Sequence, residues 1–245
     1  MTDIHTEIIS YTADGVEMKG YLAWDAEQQD ARPGVLVAHE WWGCNEYVQR
    51  RARMLAEAGY TGLALDLYGN GQVAANPDEA GQLMNACIDD MEGTRARFTA
   101  GLDVLKAHST VDANRTGAIG YCFGGGVVTH MARMGSALKV TGSFHGAVGL
   151  AAVDGPDPID CRIMVYHGEA DSLVGDDQIA GFKAQMEKTG ARYDFIQLPG
   201  ALHGFSNPLA TSNGLKYGLP LAYNELADDS SWAHFLLTLE HEFAQ

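Results

Sequence analysis

The run Gly120-Tyr121-Cys122-Phe123-Gly124-Gly125 sets a thiol between glycines, where a short apolar stretch gives way to a helical pattern. Glycines two places before and after Cys122 let neighbouring backbone crowd together where a Cβ would clash, which pushes the thiol outward at the start of the helix. This is the G-x-S-x-G nucleophile elbow with cysteine in place of serine, and its context is strand, turn, helix in that order. The same six residues also fit a tight glycine turn around a buried structural cysteine, since free cysteine is among the most buried residue types. A thiol at neutral pH is only slightly ionised, so a nucleophilic Cys122 needs a base, and the base needs an orienting partner. Downstream, Asp171 and then His203 supply an acid and a histidine in the chain order nucleophile, acid, histidine. Taken singly, Asp171 reads more readily as a helix cap and His203 as a loop histidine than as catalytic groups. Taken together beside an elbow, they read as a Cys-His-Asp triad for acyl transfer.

Those residues need a scaffold that brings distant loops together. Residues 115–121 read as the strand before the elbow and 123–134 as the helix after it. Strand-like runs at 4–12 and 16–24 flank Asp14-Gly15, a strong hairpin signal. Buried strands follow at 34–38, 61–65, 140–144, 162–166 and 192–198. Helical patterns are predicted from the Asn45 cap to Ala58, near 77–86, and over 90–106, 175–189 and 223–243, with Gly59 suited to a left-handed helix end. Apolar strands alternating with helices predict an α/β fold with a mostly parallel sheet covered on both faces and opened by an antiparallel hairpin. Ligands bind such sheets beyond the carboxyl ends of the strands. His39-Glu40, Asp66, Cys122, His145, His167 through Asp171, and His203 all follow apolar runs in this way.

Bulk composition narrows the partners. The 245 residues carry a net charge of −16, which repels phosphate backbones and anionic lipid surfaces, so neither nucleic acid nor a membrane is an expected partner. No apolar run reaches the roughly 18 residues of a membrane span. The segment from Met1 to Glu7 lacks the basic and apolar regions of a secretory signal, so the expected location is cytoplasmic. Cys44, Cys87, Cys122 and Cys161 form no C-x-x-C pair, and His39-Glu40-Trp41-Trp42-Gly43 has glycine where H-E-x-x-H needs its second histidine. No metal or cofactor is expected. One domain over 1–245, as a monomer or small homo-oligomer, suits the length.

Five ordered motifs resemble the dienelactone hydrolase (carboxymethylenebutenolidase) family over essentially the whole chain: His39-Glu40-Trp41-Trp42-Gly43, Asp66-Leu67-Tyr68, the elbow hexapeptide, His167-Gly168 through Asp171, and His203-Gly204-Phe205. The resemblance implies an α/β-hydrolase fold and cleavage of a small ester or lactone through a thioester intermediate. It also implies that Glu40 takes the thiol proton when substrate moves it. A resting neutral thiol of this kind resists oxidation. A salt bridge from Glu40 to Arg50, Arg51 or Arg53 is the structural alternative. The oxyanion hole falls by resemblance to the backbone N–H groups of Trp41 and Phe123, and Trp42, Tyr68, Phe205 and Asn207 become pocket residues.

The chain departs from the family where substrate carboxylate is held. The family places one arginine after Asp-Leu-Tyr and another after the catalytic histidine. Here Gly69-Asn70-Gly71-Gln72 and Ser206-Asn207-Pro208 stand in those places, and no arginine follows Arg192. A neutral or differently charged ester or lactone is therefore the expected substrate, while Lys216 on the final loop, 206–221, offers a single charge that keeps an anionic substrate open. Two other classes compete. His167-Gly168-Glu169 spells the H-x-E of cysteine amidotransferases and peptidases but leaves Asp171 and His203 unused. A hydrolase-like module that binds or senses redox state through Cys122 would keep the fold without turnover.

Overall fold

Continuous apolar runs such as Val35-Leu36-Val37-Ala38 have no polar side to offer water and become fully buried strands, while the polar-apolar alternation of residues 4–13 suits an exposed edge. The protein, described by a computed structural model over residues 3–245, realises this pattern in eight strands and seven α-helices among the described residues. Met1 and Thr2, part of the segment searched for a leader, lie outside the described residues. Contacts group the chain into two compact units that divide between Ala118 and Ile119.

The first unit opens with β1 (Ile4–Ala13) and β2 (Val16–Asp25), paired antiparallel across Asp14 and Gly15. β3 (Arg32–Ala38) and β4 (Thr61–Ala64) pair in parallel around α1 (Glu46–Glu57), whose first turn is capped by Asn45 as expected, and Gly59 takes φ +89° just past its end. α2 (Pro77–Asp89) and α3 (Met91–Ala107) follow, then β5 (Val111–Tyr121), which runs on into the second unit. The strand order here is β1-β2-β4-β3-β5.

In the second unit the order is β5-β6-β7-β8. β6 (Val140–Phe144), β7 (Arg162–Gly168) and β8 (Tyr193–Leu198) pair in parallel, and α4 (Phe123–Arg133), α5 (Asp176–Thr189), α6 (Ala210–Tyr217) and α7 (Glu225–Phe243) complete it. The expected mostly parallel α/β fold with its opening hairpin is borne out. Two elements depart from expectation. A 3-10 turn forms at Val148–Ala151, and the expected loop 206–221 contains α6. β5 also starts at Val111, four residues earlier than its polar Asp112 and Asn114 suggest.

Candidate active site

The elbow takes the form its glycines permit. β5 stops at Tyr121, α4 starts at Phe123, and Cys122 between them holds φ 54° and ψ −118°, a left-handed conformation rare for a residue with a Cβ. A Cβ on Gly120 would lie 2.1 Å from the Gly124 oxygen, and one on Gly125 would lie 2.7 Å from the Gly146 Cα, so strand and helix meet only because these positions carry no side chain. Backbone bonds fasten the turn to the end of β6. Cys122 N donates to Phe144 O at 3.1 Å, and Ala147 N donates to Cys122 O at 3.1 Å. Cys44, Cys87 and Cys161 are buried, whereas Cys122 is half-buried.

The acid and base come from the loops after β7 and β8, which glycine again draws together. A Cβ on Gly168 would meet the Ala201 oxygen at 2.4 Å, and Ala170 N donates to that same oxygen at 3.0 Å. This brings the buried His203 Nδ1 to 2.8 Å from Asp171 Oδ2, while Asp171 Oδ1 accepts from Leu173 N at 2.8 Å. In the neutral tautomer that directs Nδ1–H at the carboxylate, Nε2 carries the lone pair. Burial opposes a charge on His203, yet the charge on the Cys122 sulfur and hydrogen bonds with Asp171 and Cys122 outweigh it, and the imidazole is pushed up to about 10. Burial likewise works against the Asp171 carboxylate, but the hydrogen bond and charge of His203 hold it below the usual range.

The chain leaves this base and returns to it. His203 bridges Leu221, Ala222 N donates to His203 O at 3.2 Å, and Asn224 N donates to Phe205 O at 2.9 Å. α6 lies within the excursion, started by Asn207, whose Oδ1 accepts from Leu209 N at 2.9 Å. Lys216 sits 4.6 Å over the Tyr217 ring.

In the first unit the other expected site residues gather behind β3 and β4. Glu40 is buried, and its backbone oxygen accepts from Gly43 N and from the His39 ring. Among the arginines offered as partners for Glu40, Arg53 bonds Glu46 and Tyr21. Trp41 and Trp42 pack edge to face at 5.1 Å, and Tyr68 Oη donates to Trp41 O at 2.9 Å, which fixes the loop expected to carry an oxyanion donor. Asp66 holds the following turn by accepting from Lys19 N, Tyr68 N, Gly69 N and Gly71 N. Arg97 joins this corner although no motif marks it. It lies far from the motif, but α3 carries it to Leu67, where Nη1 donates to the carbonyl at 2.8 Å, and it lines a cavity of about 210 Å³ with Tyr68, Gln72 and Asp90.

The H-x-E segment has structural partners instead. The His167 ring packs 5.5 Å from Phe195 within the β7–β8 pair, and the exposed Glu169 accepts from Gly200 N at 3.1 Å. Among the described residues, no three His, Cys, Asp or Glu side chains are placed to hold a metal ion, and no helix is long and apolar enough to cross a membrane.

Comparison with known proteins shows the family. The model of the dienelactone hydrolase family matches residues 18–243. The chain belongs to the dienelactone hydrolase family. A dienelactone hydrolase-like promiscuous phosphotriesterase from metagenomic libraries superposes with TM-score 0.89 at 30% identity, covering 97% of this chain and 98% of its own. The structure of m3DLH gives 0.89 at 31% identity, covering 98% and 99%. Protein usf of Aquifex pyrophilus is 27% identical over 209 residues, 82% of this chain and 87% of its own length. This member of the dienelactone hydrolase family has an α/β-hydrolase fold, in which Cys122, Asp171 and His203 follow β5, β7 and β8.

Proposed function

We propose that the protein hydrolyses a carboxylic ester or lactone with Cys122 as nucleophile, His203 as base and Asp171 as its anchor. The observation that carries the reading is the buried 2.8 Å Asp171–His203 pair, whose imidazole charge is favoured by the Cys122 sulfur at the elbow. The thiol proton passes to His203 Nε2 and the sulfur attacks the ester carbon. The oxyanion that forms is held by the backbone N–H of Phe123 at the start of α4, joined in this reading by that of Trp41. Collapse expels the alcohol oxygen, which takes the proton from His203 and leaves a thioester on Cys122. Water, deprotonated by His203, then attacks the thioester to release the acid and restore the thiol. Glu40 is assigned the first capture of that same thiol proton, on its way to His203 Nε2, so that a single proton travels from sulfur to the leaving alcohol. The reading treats the chain as one hydrolase domain acting on a small molecule and calls for no metal or cofactor.

Substrate preference follows from the loops. Gly69-Asn70-Gly71-Gln72 and Ser206-Asn207-Pro208 offer neutral donors and no guanidinium, and Asn207 Oδ1 is engaged by Leu209 N. A neutral ester or lactone fits those loops, with Trp42, Tyr68, Phe205 and Asn207 as pocket residues. The metagenomic relative's phosphotriesterase activity is in keeping with an uncharged substrate.

The test is hydrolysis of p-nitrophenyl acetate, a carboxylate-bearing lactone, a neutral lactone and a neutral phosphotriester by the wild-type protein and Cys122→Ala. We expect turnover of the neutral compounds and its loss, by about 10⁵-fold or more, in the variant. Undiminished turnover in Cys122→Ala would refute the nucleophile, and preference for the anionic lactone would refute the neutral substrate. Alkylation of Cys122 without turnover of any compound would favour the binding or redox module.

A further inference from the structure

His145 stands at the end of β6 with no part in the chemistry above, yet its surroundings are unusual. It is fully buried and has φ 41°, a left-handed backbone in a residue that carries a side chain. Its Nε2 lies 2.8 Å from the hydroxyl of Ser206, a buried residue 61 positions away. Its ring meets His203 edge to face at 5.1 Å and Phe205 edge to face at 5.1 Å. Phe205 and Ser206 lie in a turn closed by Asn207 N donating to Gly204 O at 2.9 Å, and His203 immediately precedes it.

The backbone on either side of His145 holds the nucleophile. Phe144 O accepts from Cys122 N, Ala147 N donates to Cys122 O, and His145 N itself donates to Tyr166 O at 2.8 Å. One side chain therefore links the corner that grips the Cys122 backbone to the turn that presents His203. A left-handed histidine at a buried corner persists only where its surroundings over-determine it, and such conformations cluster at functional sites.

We propose that His145 is a positioning residue, which through Ser206 and its edge contact with His203 fixes the distance over which the Cys122 proton moves. The inference rests on the triad reading. Outer partners that orient a reacting imidazole commonly set its effectiveness, and small displacements of reacting groups cost rate steeply. Among the described residues, Cys122, Asp171 and His167 are ionisable groups that act on His203.

The experiment uses Ser206→Ala, which removes the hydroxyl at nearly constant volume, and His145→Phe, which keeps the ring but not the hydrogen bond. Iodoacetamide alkylation of Cys122 is followed against pH, alongside kcat, KM and melting temperature. The burial of the other three cysteines lets the alkylation report on Cys122. We expect both variants to alkylate roughly tenfold more slowly at neutral pH, with the midpoint moved upward, kcat reduced in proportion and KM changed less than about twofold. An unchanged alkylation profile and kcat in Ser206→Ala would overturn the proposal, whatever its melting temperature. Ser206→Ala decides alone where His145→Phe fails to fold. Full esterase activity in Cys122→Ala would remove the triad reading, and the alkylation profile would still register whether His145 governs the thiol.

Discussion

Two buried histidines at strand ends, His39 after β3 and His203 after β8, have opposite electrostatic fates. The His39 ring donates from Nδ1 to Glu40 O and accepts at Nε2 from Leu67 N at 3.2 Å, so both nitrogens are occupied by the backbone in the neutral form. Burial dominates, and its pKa falls to about 4 despite the backbone bond to Glu40 and the charge of Asp66. His203 is as buried, but a carboxylate and a thiol face it, and its pKa rises to about 10. The nearby acids differ in the same way. Asp66 spends its oxygens on four backbone N–H groups, whereas Asp171 gives one to Leu173 N and the other to His203. Burial by itself silences a histidine. The charge of a facing sulfur, joined by a directly bonded carboxylate, lets it carry a proton.

The contrast can be broken most directly at the acids. Asp171→Asn should lower kcat by about 10³–10⁴-fold with the fold intact, as an amide leaves His203 poorly oriented. Asp66→Asn should instead cost about 2–4 kcal/mol of stability, by urea unfolding, with kcat of the folded protein little changed. Equal effects on kcat would erase the distinction.

Stability against pH sharpens it next. The depressed pKa of His39 means that the unfolded chain binds the extra proton, so stability should fall as pH drops from about 6.5 to about 4. The raised pKa of His203 contributes stability fully below about 6.5, and this is lost as pH climbs towards about 10. Urea unfolding of His39→Gln and His203→Gln should each flatten one limb and leave the other. Cys122→Ser should lower the pKa of His203 and leave that of His39 unmoved, as followed by imidazole NMR, because the sulfur's charge is a leading cause of the first alone. The smallest effect is expected at Glu169→Gln. Its exposed carboxylate serves Gly200 N, so kcat should stay within about twofold, and a large loss would revive the H-x-E reading.

Much of this scaffold was legible because its cues are local. Asn45 and Gly59 mark the two ends of α1, Asp14-Gly15 marks the hairpin, and glycines flank Cys122 wherever backbone must approach. α6 was not legible. Its sequence Ala-Thr-Ser-Asn-Gly-Leu-Lys-Tyr follows Pro208 and reads as a loop, and it is tertiary packing that makes it helical. A Cβ on Gly214 would meet the Leu221 oxygen at 2.5 Å, so the returning chain is pressed against that helix. Cys122, Asp171 and His203 stand at strand ends and could be picked out only as a set, by their order along the chain beside the glycine-flanked cysteine. His145 could be seen at a strand end, but nothing near it in sequence points to Ser206. Arg97 escaped notice for the same reason, because only the packing of α3 brings it to Leu67.

The excursion that leaves His203 and returns at Leu221 is pinned where it begins and ends, so its two feet stay together whatever the intervening segment does. Closing a longer loop across a fixed gap costs only about 0.6 kcal/mol per doubling of length. The stretch between Pro208 and Leu219 is thus a replaceable cassette: segments of different length and chemistry can be grafted there while His203 keeps its seat.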